Sequence, residues 1–155
     1  MTQRNRTDEF WVFDYGSLSY EKLTSIVGDV EVVCGAILPR SRIVFAGSSK
    51  MFGGSTVATV VLQDGYEVMG VVYKIKEMQL ELLDLFMGSS LGLTKRVKSV
   101  VHDGRANHGV YMYVLHAHAM SPKGRPSPAY AELHMKLVRE GYELYRKQVA
   151  PAAVS

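Results

Sequence analysis

The segment that most constrains the fold of this chain is residues 13–18, Phe-Asp-Tyr-Gly-Ser-Leu. An apolar run at residues 10–13 precedes the turn and is typical of a buried strand, whereas residues 19–27 follow with a helical pattern. Gly16 permits the backbone angles that a sharp turn between the two elements requires. Such a turn points several backbone N–H groups at one spot near a helix N-terminus, which favours an anion. Because Gly-Ser turns are common, this segment alone leaves both a binding loop and a structural turn open.

The rest of the chain predicts an α+β fold. Strands are expected at residues 30–38, 42–46, 56–63, 68–75, 94–102 and 109–118, the first of these ending at Pro39. Helices are expected at residues 19–27 and 76–86 and from Pro128 onward, and residues 47–55 form a glycine-rich loop. The strands follow one another too closely for repeated βαβ units, which favours the α+β class.

Helical spacing predicts which side chains the second and third helices bury. In residues 76–86 the apolar stripe is expected to consist of Met78, Leu82 and Phe86, with Leu85 beside it. The last helix is expected to start with Ser127 as its cap and Pro128 at its first position. Its apolar stripe is then Tyr130, Leu133, Leu137 and Val138, extended by Tyr145.

Composition indicates one globular domain. The chain has 155 residues, 47% of them apolar and 21% charged, and we expect a single domain at residues 10–149 between flexible ends at 1–9 and 150–155. The net charge of +3 is compatible with an anionic ligand and too small to indicate nucleic acid. The single cysteine, Cys34, excludes an internal disulfide. With no run long enough to span a membrane and no secretory signal, the expected location is the cytoplasm.

Four segments in order resemble the γ-glutamylcyclotransferase-like family. Residues 15–18 (Tyr-Gly-Ser-Leu) resemble its Tyr-Gly-Ser-(Asn/Leu) loop, and residues 67–75 resemble its central strand. Residues 83–88 (Leu-Asp-Leu-Phe-Met-Gly) resemble its Leu-Asp-x-x-Glu-Gly helix end, and residues 126–130 (Pro-Ser-Pro-Ala-Tyr) its Pro-Ser-x-x-Tyr segment. Each segment alone is weakly specific, but the four together cover roughly residues 10–142.

The resemblance implies a small mixed β-barrel-like sheet with helices packed outside it. It also implies an intramolecular acyl transfer, in which the α-amine of a γ-glutamyl group attacks its own γ-carbonyl and releases 5-oxoproline. That reaction needs a pocket that folds the substrate, hydrogen-bond donors for its carboxylate and carbonyl, and a general base. Backbone N–H groups near Tyr15, Gly16, Ser17 and Leu18 could supply the donors. Tyr130 matches the family tyrosine whose hydroxyl could face the ligand, although core packing explains it equally well.

The catalytic base is where this sequence departs from the family. Met87 occupies the position of the catalytic Glu, and a thioether neither carries charge nor exchanges protons near neutral pH. Losing a general base typically costs on the order of 10²- to 10⁴-fold in rate. Thr94 is a second departure, standing where the family has Tyr. The leading hypothesis is therefore a non-catalytic ligand-binding or interaction protein, with no confident catalytic residue.

The alternative is an active cyclotransferase or related acyl-transfer enzyme that uses another acid. Asp14 is the first substitute because a charged residue in an apolar strand needs a reason, although a hydrogen-bonded structural Asp is the competing interpretation. Asp84 belongs to the family's helix pattern and is interpreted as structural.

The remaining motifs predict no cofactor and no metal site. His116 and His118 share a strand face, but no third metal ligand has suitable spacing. Cys34 is interpreted as a small buried apolar residue. The expected partner is a small anionic or γ-glutamyl-type ligand, or a protein. A membrane is not expected, and a nucleic-acid role through the basic residues is the weakest alternative.

Overall fold

The computed structural model describes residues 9–16, 20–49, 55–88, 94–116, 120 and 125–149. Within them the strands are β1 (Glu9–Asp14), β2 (Glu31–Ser49), β3 (Ser55–Lys76), β4 (Thr94–His102) and β5 (Asn107–Leu115). The helices are α1 (Tyr20–Val27), α2 (Glu77–Phe86) and α3 (Pro128–Val149). The bounds of α1, α2 and β4 agree with the sequence-based prediction to within one residue.

The five strands close into a barrel in the order β1-β3-β2-β4-β5. Neighbouring strands are antiparallel except β1 and β5, which run parallel and pair through Val12 and Tyr111. The predicted α+β class and mixed barrel are confirmed.

Two long strands replace four predicted short ones, so the prediction that a strand ends at Pro39 is wrong. β2 and β3 pair along nearly their whole lengths, with a register shift where Pro39 faces Glu67 and Ser41 faces Leu62. At this irregularity Arg40 has φ 55°, a left-handed conformation that is rare for a residue with a Cβ, and Gly65 has φ 87°. Because the chain accommodates Pro39 as a bulge, pairing resumes on its far side.

Strand alternation divides the apolar residues into two clusters. One cluster consists of strand residues inside the barrel and includes Phe13 and Tyr15. The other lies between the barrel and the helices and includes Val12, Leu23 and Leu137. Because successive side chains of β1 point to opposite faces, Val12 and Phe13 are buried in different clusters.

The apolar stripe predicted for α2 is wrong at three of its four residues, and only Phe86 packs against the core. Met78 is 77% exposed, and Leu82 and Leu85 are also exposed, whereas Leu80 and Leu83 are buried. Both sets have helical spacing, so periodicity alone could not choose between them. The buried set packs against the cluster that contains Leu23 of α1, and this tertiary contact decides the orientation of the helix.

The helix α3 lies against β2 and β3 through glycines. A Cβ on Gly141 would lie 2.6 Å from the carbonyl oxygen of Gly70, and one on Gly35 would lie 2.1 Å from the carbonyl oxygen of Gly141. Real Cβ atoms do not approach backbone so closely, so the contact requires glycine on both sides. This close packing fixes α3 over the barrel, with Tyr130, His134 and Leu137 buried on the same face.

Candidate functional site

Both backbone hydrogen-bonding groups of Gly16 are already in use. Its N–H donates to Oδ1 of Asp14 over 3.1 Å, and its carbonyl oxygen accepts from Nδ1 of His134 over 3.0 Å. The first bond is the local turn that Asp favours, in which the side chain bonds the backbone two residues on. The amide hydrogen expected to hold an anion is therefore directed at a carboxylate. Ser17 and Leu18 lie outside the described residues, and their role in anion binding stays a prediction.

The structure brings Tyr130 to the same turn. The hydroxyl of Tyr130 lies 3.7 Å from the point where a Cβ on Gly16 would be, and it accepts a hydrogen bond from the backbone N–H of Ala58 over 2.7 Å. Ser127 caps the helix as predicted, since its Oγ accepts from the N–H of Tyr130 over 3.2 Å. Gly16 and Tyr130, two of the predicted ligand-binding residues, are thus neighbours.

Tyr15 is directed into the barrel. Its side chain is buried and its hydroxyl donates to the carbonyl oxygen of Tyr113. Burial raises the pKa of Tyr15 far above its usual value, and a hydrogen bond with Thr59 opposes only part of that rise. The phenol therefore stays protonated at neutral pH and cannot act as the general base.

His134 is a residue at this turn that the sequence analysis missed. Because a carbonyl oxygen only accepts, Nδ1 of His134 must carry the hydrogen that Gly16 receives, which leaves Nε2 as the acceptor of the neutral ring. The ring packs edge-on against Phe45, with centroids 5.4 Å apart. Burial lowers the pKa of His134, against the opposing effect of the hydrogen bond to Gly16. His134 follows Tyr130 by four residues, which places both side chains on the same face of α3, and this spacing could have identified His134 from the sequence.

Met87 ends α2 and is held by two backbone contacts. Its N–H donates to the carbonyl oxygen of Leu83 over 2.9 Å, and its own carbonyl oxygen accepts from the hydroxyl of Thr94 over 2.8 Å. The Met87 side chain is half-buried and packs against the cluster between barrel and helices. Met87 and Thr94, the two departures from the family pattern, are thus joined by a hydrogen bond. The Met87 side chain fills apolar volume there.

Asp84 has a structural role, in agreement with its interpretation from sequence. One carboxylate oxygen accepts from the hydroxyl of Tyr113 over 2.5 Å and the other from the guanidinium of Arg96 over 2.7 Å. These bonds tie α2 to β4 and β5. Burial, followed by the hydrogen bond and charge of Asp84, raises the pKa of Tyr113 far above its usual value.

Asp14, the predicted substitute acid, lies at the Gly16 turn. Its carboxylate is half-buried at the end of β1, and Oδ1 accepts the Gly16 amide. Among the described residues, Asp14 and His134 are the ionisable groups bonded directly to Gly16. The turn therefore combines a carboxylate, a neutral imidazole and a phenol within a few ångströms of one backbone carbonyl and amide.

No family model matches the chain, and no curated protein matches it in sequence. Solved structures do match. One described as gamma-glutamyl cyclotransferase and another of an uncharacterised human protein each have a TM-score of 0.79 at 24% identity. The matches cover 92% of this chain and 88% and 87% of the other two. A yeast γ-glutamyl cyclotransferase specific to glutathione has a TM-score of 0.60 at 15% identity, covering 90% of this chain and 96% of that protein.

Within the described residues, no helix combines the length and the apolar character needed to cross a membrane. The likeness to solved structures extends over nine-tenths of the chain. This chain has the γ-glutamylcyclotransferase-like fold.

Proposed function

We propose that this protein binds a small ligand at the Gly16 turn and does not release 5-oxoproline at enzymatic rates. The observation that carries the proposal is Met87, which stands where the family resemblance places the catalytic Glu. Its thioether is half-buried against apolar side chains and cannot take a proton from an ammonium group. The proposed location is the cytoplasm.

The state of the turn supports a binding role. Gly16 and Tyr130, two of the five residues expected to contact a ligand, are adjacent, which supports a ligand site at this turn. The Asp14 carboxylate beside the Gly16 amide adds negative charge where the family pattern suggests an anion. The ammonium group of a ligand, such as the glutamyl end of a γ-glutamyl compound, offers a partner for the Asp14 carboxylate.

One observation favours a second candidate function, an active acyl-transfer enzyme. Asp14 places a half-buried carboxylate at the turn, 3.1 Å from the Gly16 nitrogen, which puts an acid within reach of a ligand there. Under this alternative Asp14 would accept the proton of the substrate ammonium in place of the missing Glu.

Two measurements on the same preparation test the proposal. Release of 5-oxoproline from γ-glutamyl amino acids, glutathione and γ-glutamyl-lysine should stay at background, while calorimetry with the same compounds should detect binding. Turnover of about 1 to 10³ s⁻¹, the ordinary range for enzymes, would overturn the proposal. If turnover is found, Asp14→Asn decides the alternative: activity that persists in the folded variant excludes Asp14 as the base.

A further inference from the structure

The barrel end that lies away from the Gly16 turn contains a cluster of three side chains with metal-ligating atoms. Cys34 comes from β2, Asp103 from the turn between β4 and β5, and His108 from β5. One ligating atom from each of them lies within 4.8 Å of the other two. The ring of His108 packs on Trp11, with centroids 4.9 Å apart. Trp11 and Gly16 are five positions apart along β1 and the turn that follows it, so the cluster and the Gly16 turn lie at different points along the barrel.

We propose that Cys34, Asp103 and His108 form a binding site for a divalent cation of the zinc class. Thiolate, imidazole and carboxylate are the three ligand types that zinc uses in proteins, whereas magnesium and calcium prefer oxygen ligands alone. This site was not expected from the sequence, because its ligands come from positions 34, 103 and 108 and match no ligand spacing.

The cluster is wider than the ligand shell of a bound ion. With Zn–S of about 2.3 Å and Zn–N of about 2.1 Å at tetrahedral angles, two ligand atoms on one ion are about 3.6 Å apart. The side chains of the cluster must therefore approach one another by up to about 1.2 Å where they are most widely separated. Nε2 of His108 and Oδ2 of Asp103 are instead too close, at 2.6 Å, and must move apart by several tenths of an ångström to bind the same ion.

The carboxylate of Asp103 is held in place by its own turn. Its Oδ1 accepts from the N–H groups of Arg105 over 2.7 Å and Ala106 over 2.8 Å. The Oδ2 atom faces His108. Bonds of this kind orient a ligating carboxylate before the ion arrives and are typical of metal sites.

An open groove lies beside His108, at the edge of the cluster. It has a volume of about 560 Å³ and lies between β1 and β5, which pair through a single residue pair. Trp11, Ser99 and His108 contribute to its lining, whereas Cys34 and Asp103 do not. Water from the groove can complete four-coordinate geometry beside the three protein ligands.

Binding changes protonation but involves no electron transfer. The S–H bond of Cys34 breaks, the thiolate bonds the cation, and the thiol proton goes to solvent. The cation replaces the hydrogen bond between His108 and Asp103, and the neutral imidazole binds through the lone pair of one ring nitrogen.

The test uses the full chain after treatment with EDTA. One equivalent of Co²⁺ should produce a thiolate-to-cobalt charge-transfer band, and Zn²⁺ should then abolish it. Because Cys34 is the only cysteine, the band can come from no other residue. Zn²⁺ should also slow modification of Cys34 by a thiol reagent, because the metal-bound thiolate is no longer free to react, and EDTA should restore the rate. Absence of both effects in the folded wild-type protein overturns the proposal.

Variants distinguish zinc bound at this cluster from zinc bound by histidines elsewhere in the protein. Cys34→Ala should remove the cobalt band and weaken zinc binding at least about tenfold. His116→Ala, which changes a histidine outside the cluster, should leave both unchanged. Asp103→Asn keeps an oxygen for the N–H groups of Arg105 and Ala106 while removing the charge, and should also weaken zinc binding. Equal zinc affinity in wild type, Cys34→Ala and Asp103→Asn contradicts the proposal.

Discussion

Nδ1 of His134 donates to the carbonyl oxygen of Gly16 over 3.0 Å and joins α3 to the turn that follows β1. The two residues are 118 positions apart in the chain. A titratable side chain on one element thus fixes the backbone of another, at the point where a ligand is expected.

The first prediction concerns the pH dependence of stability. Burial keeps the pKa of His134 below 6.5 in the folded protein, whereas in the unfolded chain it returns to about that value. As pH falls through 6.5, the unfolded state takes up the proton first, so the free energy of unfolding decreases. Above that pH both states are neutral and this titration contributes nothing. Urea unfolding at several pH values between about 7.5 and 5 measures how the free energy of unfolding changes with pH.

The matched variant for this measurement is His134→Asn, whose amide can donate to Gly16 but does not titrate. Its free energy of unfolding should depend less on pH than that of the wild type over the same interval. If the free energy of unfolding depends on pH equally in both proteins, a group other than His134 causes that dependence.

The second prediction concerns the hydroxyl of Tyr130. Tyr130→Phe leaves the N–H of Ala58 without the bond of 2.7 Å that it makes now. The N–H of Ala58 is partly buried, so leaving it unsatisfied should cost about 1 kcal/mol in stability, the lower end of the range for a buried donor. Chemical denaturation should show this loss, while Tyr142→Phe, at a tyrosine that is 55% exposed on the same helix, should change stability by less than about 0.5 kcal/mol. Equal stability of the two variants would be evidence against the bond.

The third prediction concerns the contact between α3 and the barrel. Gly141→Ala places a Cβ 2.6 Å from the backbone oxygen of Gly70, so the helix must move away from β3. We expect a loss of about 1 to 3 kcal/mol, the usual cost of overpacking. Gly109→Ala is the control, because a Cβ there meets nothing within 4 Å. Thermal unfolding of both variants distinguishes a clash from a general effect of replacing glycine.

The fourth prediction concerns Met87. If a missing base is what limits catalysis, Met87→Glu should raise 5-oxoproline release over the wild type by on the order of 10²-fold or more. Met87→Gln has the same size as the Glu variant but no exchangeable acid, and should stay at background. A folded Met87→Glu protein without activity would mean that more than the base has been lost from the site.

Much of the fold could be predicted from local patterns. The predicted ends of α1 at residue 27 and of α2 at residue 86 are correct, and each is followed within two residues by a glycine with positive φ, Gly28 and Gly88. The strand predicted at residues 94–102 has the bounds of β4. These features depend on a few neighbouring residues, so the sequence contains the information directly.

The errors occurred where long-range packing decides. Met78 and Leu83 both have helical spacing with apolar neighbours, yet Met78 is exposed and Leu83 is fully buried. The break at Pro39 was mistaken for the end of a strand because the pairing of β2 with β3 is not visible locally. In the candidate site, Gly16 and Tyr130 were predicted to cooperate, but His134 was missed since a polar residue does not contribute to an apolar stripe.

The sequence by itself determined the order of most elements, the Tyr-Gly-Ser-Leu turn and the absence of an acid at position 87, because these are properties of composition and short spacing. Only the tertiary structure decided that Asp14 and His134 occupy the backbone of Gly16 and that Cys34, Asp103 and His108 converge. The physical reason is barrel closure. It brings together side chains from distant strands and α3, and their burial and hydrogen bonds depend on that closure.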